Sequence, residues 1–407
     1  MRVLFVNDVG YQFGAGAAHL RQIQSFLRAG HEVGAFCWYQ GAEEERAAFT
    51  GGPPPGWLGM REFHDLDWEK PAEAEAGTRA LAVAARAFAP DLVIVGNLHA
   101  ARWPVSVVGA LRDAGLRVVA FMHDTYYATG RCAYPGDCLL YETGCDARCP
   151  TAHEYPVLAP KSIAPAWRER RRVLCGSPAV AVAVNSRWTL DLARRALPGV
   201  HSDVVYYGLD ERVFRPLDRS LARRVLGVPK DAFVVVAGAV NLSDHRKGGH
   251  LLRSAMAEMG SRAHFLLFGH SPADLGAAQA TGFLRDFRKM PFVYAAADVF
   301  LGASLEEAFG QTYCEASACG VPIVALRAGG VPEIARHGVN ALLVDPARPE
   351  GLAGELETLR RDPALRAELG RGGRALVEAE FTLDAQARRW EAFLAGWPAS
   401  RAAEVVA

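Results

Sequence analysis

The chain has 407 residues, half of them hydrophobic, which gives enough length and apolar content for two or three domains and excludes global disorder. Its 45 lysines and arginines balance 45 aspartates and glutamates, which argues against a nucleic-acid partner, because proteins that bind by counterion release are basic overall. No apolar run approaches the ~20 residues needed to span a bilayer, and the opening segment turns polar at Asn7 and Asp8 before a signal-peptide core forms. A cytoplasmic protein is expected, with peripheral contact at the inner membrane face left open.

In chain order, short β-branched runs at 3–6, 33–36, 92–95, 118–122 and 179–184 alternate with Ala/Leu/Arg-rich segments of helical period, such as 17–29 and 78–88. The alternation resumes with strand candidates at 233–237, 265–268, 299–301, 323–326 and 342–344, and with helices at 251–259 and 312–319. This pattern predicts an α/β protein with parallel sheets and helices on both faces. Two interruptions punctuate it. Residues 124–165 are rich in Cys, Tyr, Pro and Gly and read as an insertion. Around Tyr207-Gly208-Leu209-Asp210, followed by Phe214-Arg215-Pro216, a strand ends and turn residues gather. The expected division is 1–206, 207–382 and a C-terminal helix within 383–407 that can cross back to the first domain. Both halves begin with an apolar strand and a glycine-containing turn, so two Rossmann-like domains facing a cleft are expected, with ligands beyond the carboxyl ends of the strands.

The segment Ser304 to Glu315 follows the strand at 299–301 and opens a helix that stops at Gly320, with Pro322 beyond. Backbone N–H groups at that helix start, from Phe309 and Gly310 to Gln311 and Thr312, suit a pyrophosphate. Glu315, just inside the helix, is placed to accept hydrogen bonds from ribose hydroxyls. Glu307, before the helix, is near where a sugar beyond the phosphates would sit. An ordinary strand–loop–helix with acidic residues favoured by the helix dipole accounts for the same spacing.

Compared over more of its length, this segment with 315–324 and Ala328-Gly329-Gly330-Val331-Pro332-Glu333-Ile334 resembles the retaining GT-B glycosyltransferases of family 4, whose mark is two Glu separated by seven residues, as Glu307 and Glu315 are. The resemblance takes in 207–210, Phe214, Pro216 and Arg246-Lys247-Gly248, and more thinly the stretches 13–18 and 30–33 of the first half. It implies a two-domain GT-B fold and transfer of a sugar from a nucleoside-diphosphate sugar, with retention, to a glycan, lipid-linked or small-molecule acceptor in bacterial exopolysaccharide or cell-surface glycan synthesis.

Lys247 matches the family lysine that would stabilise charge on the leaving diphosphate. The family arginine is missing: Ala239 follows Gly238 where it is expected, and Arg246 is a neighbouring substitute. A solvated charge pair at 246–247 is the competing account. Gly14 and Gly16 fail as a dinucleotide fingerprint and fit the family's glycine-rich first loop better, where backbone approaches the donor; a plain flexible turn is the competing account. His123, directly after the strand at 118–122, matches a family histidine that meets the donor sugar.

Cys132, Cys138, Cys145 and Cys149 lie close together in the insertion, where four thiolates would hold a structural zinc that pins a segment poor in apolar residues. Unlinked thiols are the alternative, and catalysis itself is expected to need no cofactor, since no Asp-x-Asp metal motif stands in a suitable loop. The basic stretch from Trp167 to Leu174 is a candidate seat on anionic lipid or simply a solvated helix turn. Two other classes stay open: a nucleotide-sugar-binding protein without transferase activity, and a nicotinamide-dependent oxidoreductase.

Overall fold

The computed structural model describes residues 1–41, 49, 52–63, 70–270 and 278–398. The chain forms two compact units, Met1–Tyr206 with Gln386–Ala407, and Tyr207–Ala385.

The first unit is built on seven strands, β1 (Arg2–Val9), β2 (Glu32–Tyr39), β3 (Trp57–Glu62), β4 (Leu92–Val95), β5 (Val118–Met122), β6 (Val180–Val184) and β7 (Ser202–Val204). Their order in the sheet is β3-β2-β1-β4-β5-β6-β7, with neighbours parallel. The central strands β4, β5 and β6 are buried at every residue, as expected of Val/Ile-rich strands covered on both faces by crossover helices. Two strands that are not consecutive in the chain, β1 and β4, lie side by side where the strand order reverses, and such a reversal opens a crevice at the carboxyl edge. The chain returns to this unit at its end. Trp390 packs its ring against Phe26 and Phe121, at centroid distances of 5.4 and 5.8 Å. Trp397 donates its indole N–H to the Pro178 carbonyl at 2.9 Å, with the Arg117 guanidinium 4.2 Å above its ring.

The second unit repeats the scheme with β8 (Val234–Asn241), β9 (His264–His270), β10 (Gln279–Gly282), β11 (Val299–Gly302), β12 (Ile323–Leu326) and β13 (Ala341–Val344) in the order β10-β9-β8-β11-β12-β13, again parallel. Here the reversal falls between β8 and β11. A buried ion pair braces its amino-terminal edge: Arg223 donates to Asp298 at 2.7 Å, and Asp298 also accepts the Val234 N–H at 2.8 Å.

The α/β class with two parallel sheets is thus as expected, and every expected strand is present. Three strands were not anticipated: β3, β7 and β10. All three are sheet edges whose residues are half-buried or exposed, so they carry no continuous apolar run to announce them. One expectation needs correction. The glycine-rich stretch 13–18 is no loop, because a helix begins at Phe13 and runs to Arg28. Gly16 is small because a Cβ there would come within 2.9 Å of the Gly10 carbonyl oxygen and the Tyr11 carbonyl carbon, where the helix start packs on the preceding turn.

Candidate functional site

In the second unit, the loops after β8 and β11 meet at the carboxyl edge. A short turn, His245–Lys247, follows β8, and Gly248 ends it with φ +66°. A Cβ at Gly248 would lie 1.9 Å from the Ala303 carbonyl oxygen, so only glycine lets the two loops approach this closely. The Leu305 N–H then donates to the Arg246 carbonyl at 2.7 Å and ties them together. This contact brings Lys247 to Glu307: the ammonium donates to the carboxylate at 2.6 Å, with 22% and 14% of the side chains exposed. The backbone of Glu307 is fixed from the other side, since its carbonyl accepts the Gly330 N–H at 2.8 Å.

Helix Gln311–Ala318 starts just beyond, with Gly310 at its N-terminal boundary in the left-handed region at φ +94°. The Tyr313 and Cys314 N–H groups donate back to the Gly310 carbonyl, so the N–H groups of Gln311 and Thr312 precede the helical ladder and form its positive end. The Phe309 side chain is buried between Tyr207 and Phe381, at 4.9 and 6.0 Å, which fixes the backbone just before the helix start. Glu315 is 9% exposed, and its carboxylate accepts the Tyr294 hydroxyl at 2.8 Å. Arg246 is turned to Asp244, donating to its carboxylate at 2.5 Å, while Ala239 stands within β8 at the position of the missing arginine.

At the equivalent edge of the first unit the loops after β4 and β5 converge. His123, 8% exposed, follows β5, and the ideal Cβ position on Gly96 is 2.8 Å from its Nε2, so the glycine makes room for the imidazole. Burial, only partly offset by Asp124, holds His123 down to about 4, and its imidazole is neutral near pH 7. Asp124 faces His99 instead: His99 Nε2 donates to its carboxylate at 3.0 Å, and His99 Nδ1 lies 2.8 Å from the Tyr155 hydroxyl. Burial opposes both charges, yet the pair overrides it, with His99 shifted up and Asp124 down. Close by, Asp8 accepts the Val9 and Ala100 N–H groups at 2.7 and 2.8 Å. His99 was not singled out in the sequence. The signal that flagged His123, a histidine just past a buried strand, was also available for His99. Gly14 and Gly16 belong to the helix of the same unit.

In the insertion, Cys132 and Cys149 share partners: the Arg131 guanidinium lies 3.7 and 3.9 Å from their sulfurs, and the Thr151 hydroxyl 3.7 and 3.8 Å. Burial pushes the Cys132 thiol up to about 11 and Cys145 up to about 12, so both are protonated near pH 7. All four cysteines are free, and among the described residues no group of three or more His, Cys, Asp or Glu is arranged to hold a metal ion. Arg131 carries the segment, donating to the Pro156 and Glu154 carbonyls at 2.7 and 2.6 Å. The basic stretch beside it is partly consumed by the fold. Arg170 is buried, 3.9 Å over the Tyr126 ring, and Arg171 donates to the Ala196 carbonyl. Among the described residues no helix is long and apolar enough to cross a membrane.

Comparison with known proteins agrees with this geometry. Residues 232–362 match the family described as "Glycosyl transferases group 1". The D-inositol 3-phosphate glycosyltransferase of Acidothermus cellulolyticus is 37% identical over 232 residues, which is 50% of this chain and 51% of that protein. The one from an Arthrobacter species is 31% identical over 49% of this chain and 50% of that protein. The chain thus spans about half the length of the relatives it matches. Among solved structures, Anabaena HepE in complex with UDP and glucose superposes with a TM-score of 0.72 at 20% identity, covering 97% of this chain and 99% of that one. Sucrose-phosphate synthase from Thermosynechococcus elongatus gives 0.73 at 19% identity, over 97% and 98%. The fold is that of the GT-B glycosyltransferases. In residues 232–362 the likeness extends from the fold to the sequence, through the match to the glycosyl transferases group 1 family.

Proposed function

We propose that the protein transfers a sugar from a nucleoside-diphosphate sugar to an acceptor, with retention of anomeric configuration. The observation that carries this reading is the Lys247–Glu307 pair, set before a helix N-terminus at the carboxyl edge of a glycosyl transferases group 1 domain. In this reading the N–H groups of Gln311 and Thr312 hold the diphosphate, and Glu315 binds the ribose with its carboxylate oriented by Tyr294. Lys247 leaves Glu307 to stabilise the departing diphosphate, and Glu307 then faces the sugar and the positive charge that develops at its anomeric carbon. Attack on the same face, with the leaving phosphate taking the acceptor's proton, agrees with the family resemblance and asks no nucleophile of the protein.

The first unit would serve the acceptor. Its neutral His123, expected from the family resemblance to reach across to the donor sugar, can accept or donate a hydrogen bond to a sugar hydroxyl without introducing charge, while the His99–Asp124 pair offers fixed polarity. Relatives named for D-inositol 3-phosphate make a phosphorylated polyol the first small acceptor to test, beside glycan and lipid-linked acceptors of cell-surface synthesis. UDP-glucose leads the donor list because the HepE structures hold UDP and UDP-glucose. A thermal-shift screen of UDP-, GDP- and ADP-sugars tests the donor: a ligand at 100 times its Kd stabilises by about 2.7 kcal/mol. Product formation by mass spectrometry then tests transfer. No stabilisation by any nucleotide sugar would overturn the reading.

The alanine at position 239 favours a second reading, a binder without turnover, because the diphosphate would then lack one of the two cations of the family pattern. Donor binding with neither transfer nor hydrolysis would select it. No step of the reaction is routed through a metal. Zinc on the four cysteines is decided by elemental analysis: about one zinc per chain would mean that the thiols regroup around it, and metal-free protein would leave the insertion held through Arg131.

A further inference from the structure

The amino-terminal edge of the second sheet carries a cavity of about 650 Å³ that the proposed reaction does not use. It lies under the first residues of β8, β9 and β11, roughly 25 Å along β8 from the Lys247–Glu307 pair at the other end of the strand. The lining is strongly cationic: Arg223, Lys230, Arg262, Arg360 and Arg366 face only two lining carboxylates, Asp231 and Asp298. Arg223 and Asp298 satisfy each other at 2.7 Å, both side chains 6% exposed, and they belong to the brace of the fold. Asp298 also takes Arg219 at 2.7 Å and lies 3.9 Å from Arg366 Nε, so Lys230, Arg262 and Arg360 remain against Asp231. Of these, Arg262 and Arg360 share a single carboxylate, Glu357, at 3.1 and 2.8 Å, and Arg361 takes the same carboxylate at 2.6 Å. Arg366 rests with its guanidinium 5.5 Å over the Phe233 ring, which gives the cavity one apolar wall.

We propose that this cavity is a second anion site, for a small molecule bearing a phosphate or diphosphate group, separate from the nucleotide-sugar site. Guanidinium groups match phosphate oxygens in a bidentate manner, and the exposed Lys230 adds a mobile charge at the mouth. The volume suits a sugar phosphate or a diphosphate within the usual range of small-ligand pockets, and a macromolecule would not fit inside it.

The test is calorimetry of the full chain with inorganic pyrophosphate, and with a hexose 6-phosphate to distinguish an organic phosphoester from a bare anion. Wild-type protein is compared with the double variant Lys230→Gln/Arg360→Gln and with Lys247→Ala. The double variant should bind at least about tenfold more weakly at one site, and that same site should survive Lys247→Ala. In wild-type protein, saturating pyrophosphate should also slow acetylation of Lys230, read by mass spectrometry, which needs no folded variant. Unchanged binding in the double variant, or acetylation of Lys230 unaffected at saturation, would overturn the site. Intact pyrophosphate binding at this site, with no stabilisation of the protein by any nucleotide sugar, would count against the donor reading and leave this one standing.

Discussion

At the carboxyl edge of the second sheet, a lysine and a glutamate meet within reach of solvent. At the same edge of the first sheet, charge is buried and shared among His99, Asp124 and Asp8 beside tyrosine hydroxyls. Both edges arise from one strand order, with consecutive strands running outward from a central reversal. The difference therefore lies in the loops and not in the scaffold. A salt bridge that keeps some solvent contact can exchange partners when an anion arrives. A buried histidine–aspartate pair pays too much desolvation to come apart and instead fixes geometry. Under the proposed transfer, the donor's changing charge would fall to the second unit and steady hydrogen bonding to the first.

The largest effect that can break this contrast is on the exchangeable pair. Lys247→Ala should lower turnover by ~10²–10³ with donor binding nearly unchanged, as for loss of one preorganised charge on a leaving group. Steady-state rates beside calorimetric donor affinity decide it, and an equal loss of affinity would make the lysine a plain binding residue.

The buried edge should declare itself through pH. His123, held down to about 4 by burial, binds a proton in the unfolded chain between about 4 and 6.5 and not in the folded one. Stability should therefore rise with pH across that window, by on the order of 3 kcal/mol in full. Asp124, shifted down, adds in the same direction: its contribution is present above 3.8 and is lost as pH falls through its folded value. His99, shifted up, acts oppositely, with its contribution complete below 6.5 and lost as pH rises through its folded value. Urea unfolding from pH 4 to 8 should show the slope below 6.5 flatten in His123→Asn; an unchanged slope would contradict the assignment.

The close approach of the two loops in the second unit is sharper than either edge's chemistry. Gly248→Ala adds both an unfavourable φ and a clash with the Ala303 carbonyl, and should cost ~1–3 kcal/mol in a thermal melt. Gly227→Ala, at φ +67° and ψ 28° with nothing within 4 Å of the added Cβ, serves as the comparison and should cost less. The smallest effect concerns Glu315. Tyr294→Phe removes the hydroxyl that orients its carboxylate, and nucleoside-diphosphate affinity should fall by about 1 kcal/mol, or fivefold, with turnover at saturation intact. A loss confined to turnover would move Glu315 away from the nucleotide.

The second edge was far more legible in the sequence than the first. Glu307, Gly310 and Glu315 lie within one continuous strand–loop–helix segment, so their spacing alone brings them to one place, and the sheet order then supplies Lys247. The residues of the first edge are scattered over Asp8, His99, His123, Asp124 and Tyr155, which only the sheet and the insertion bring together. His123 was visible as a polar residue ending an apolar strand, but its pairing was not: Asp124, its chain neighbour, turns to His99. Gly14 and Gly16 misled because glycines near a first strand suggest a loop, whereas a helix start pressed against a turn also demands a small residue. The edge strands β3, β7 and β10 escaped for the opposite reason: half-exposed strands have little apolar pattern to read.

The central claim is that the Lys247–Glu307 pair is where the sugar–phosphate bond breaks. Glu307→Gln tests it most directly, because the substitution keeps size and removes only charge. Calorimetry of the nucleotide sugar should give an affinity within a few-fold of wild type, while mass spectrometry should show most transfer to acceptor and most slow donor hydrolysis gone. Transfer by Glu307→Gln at the wild-type rate would contradict the account and leave the fold without its chemistry.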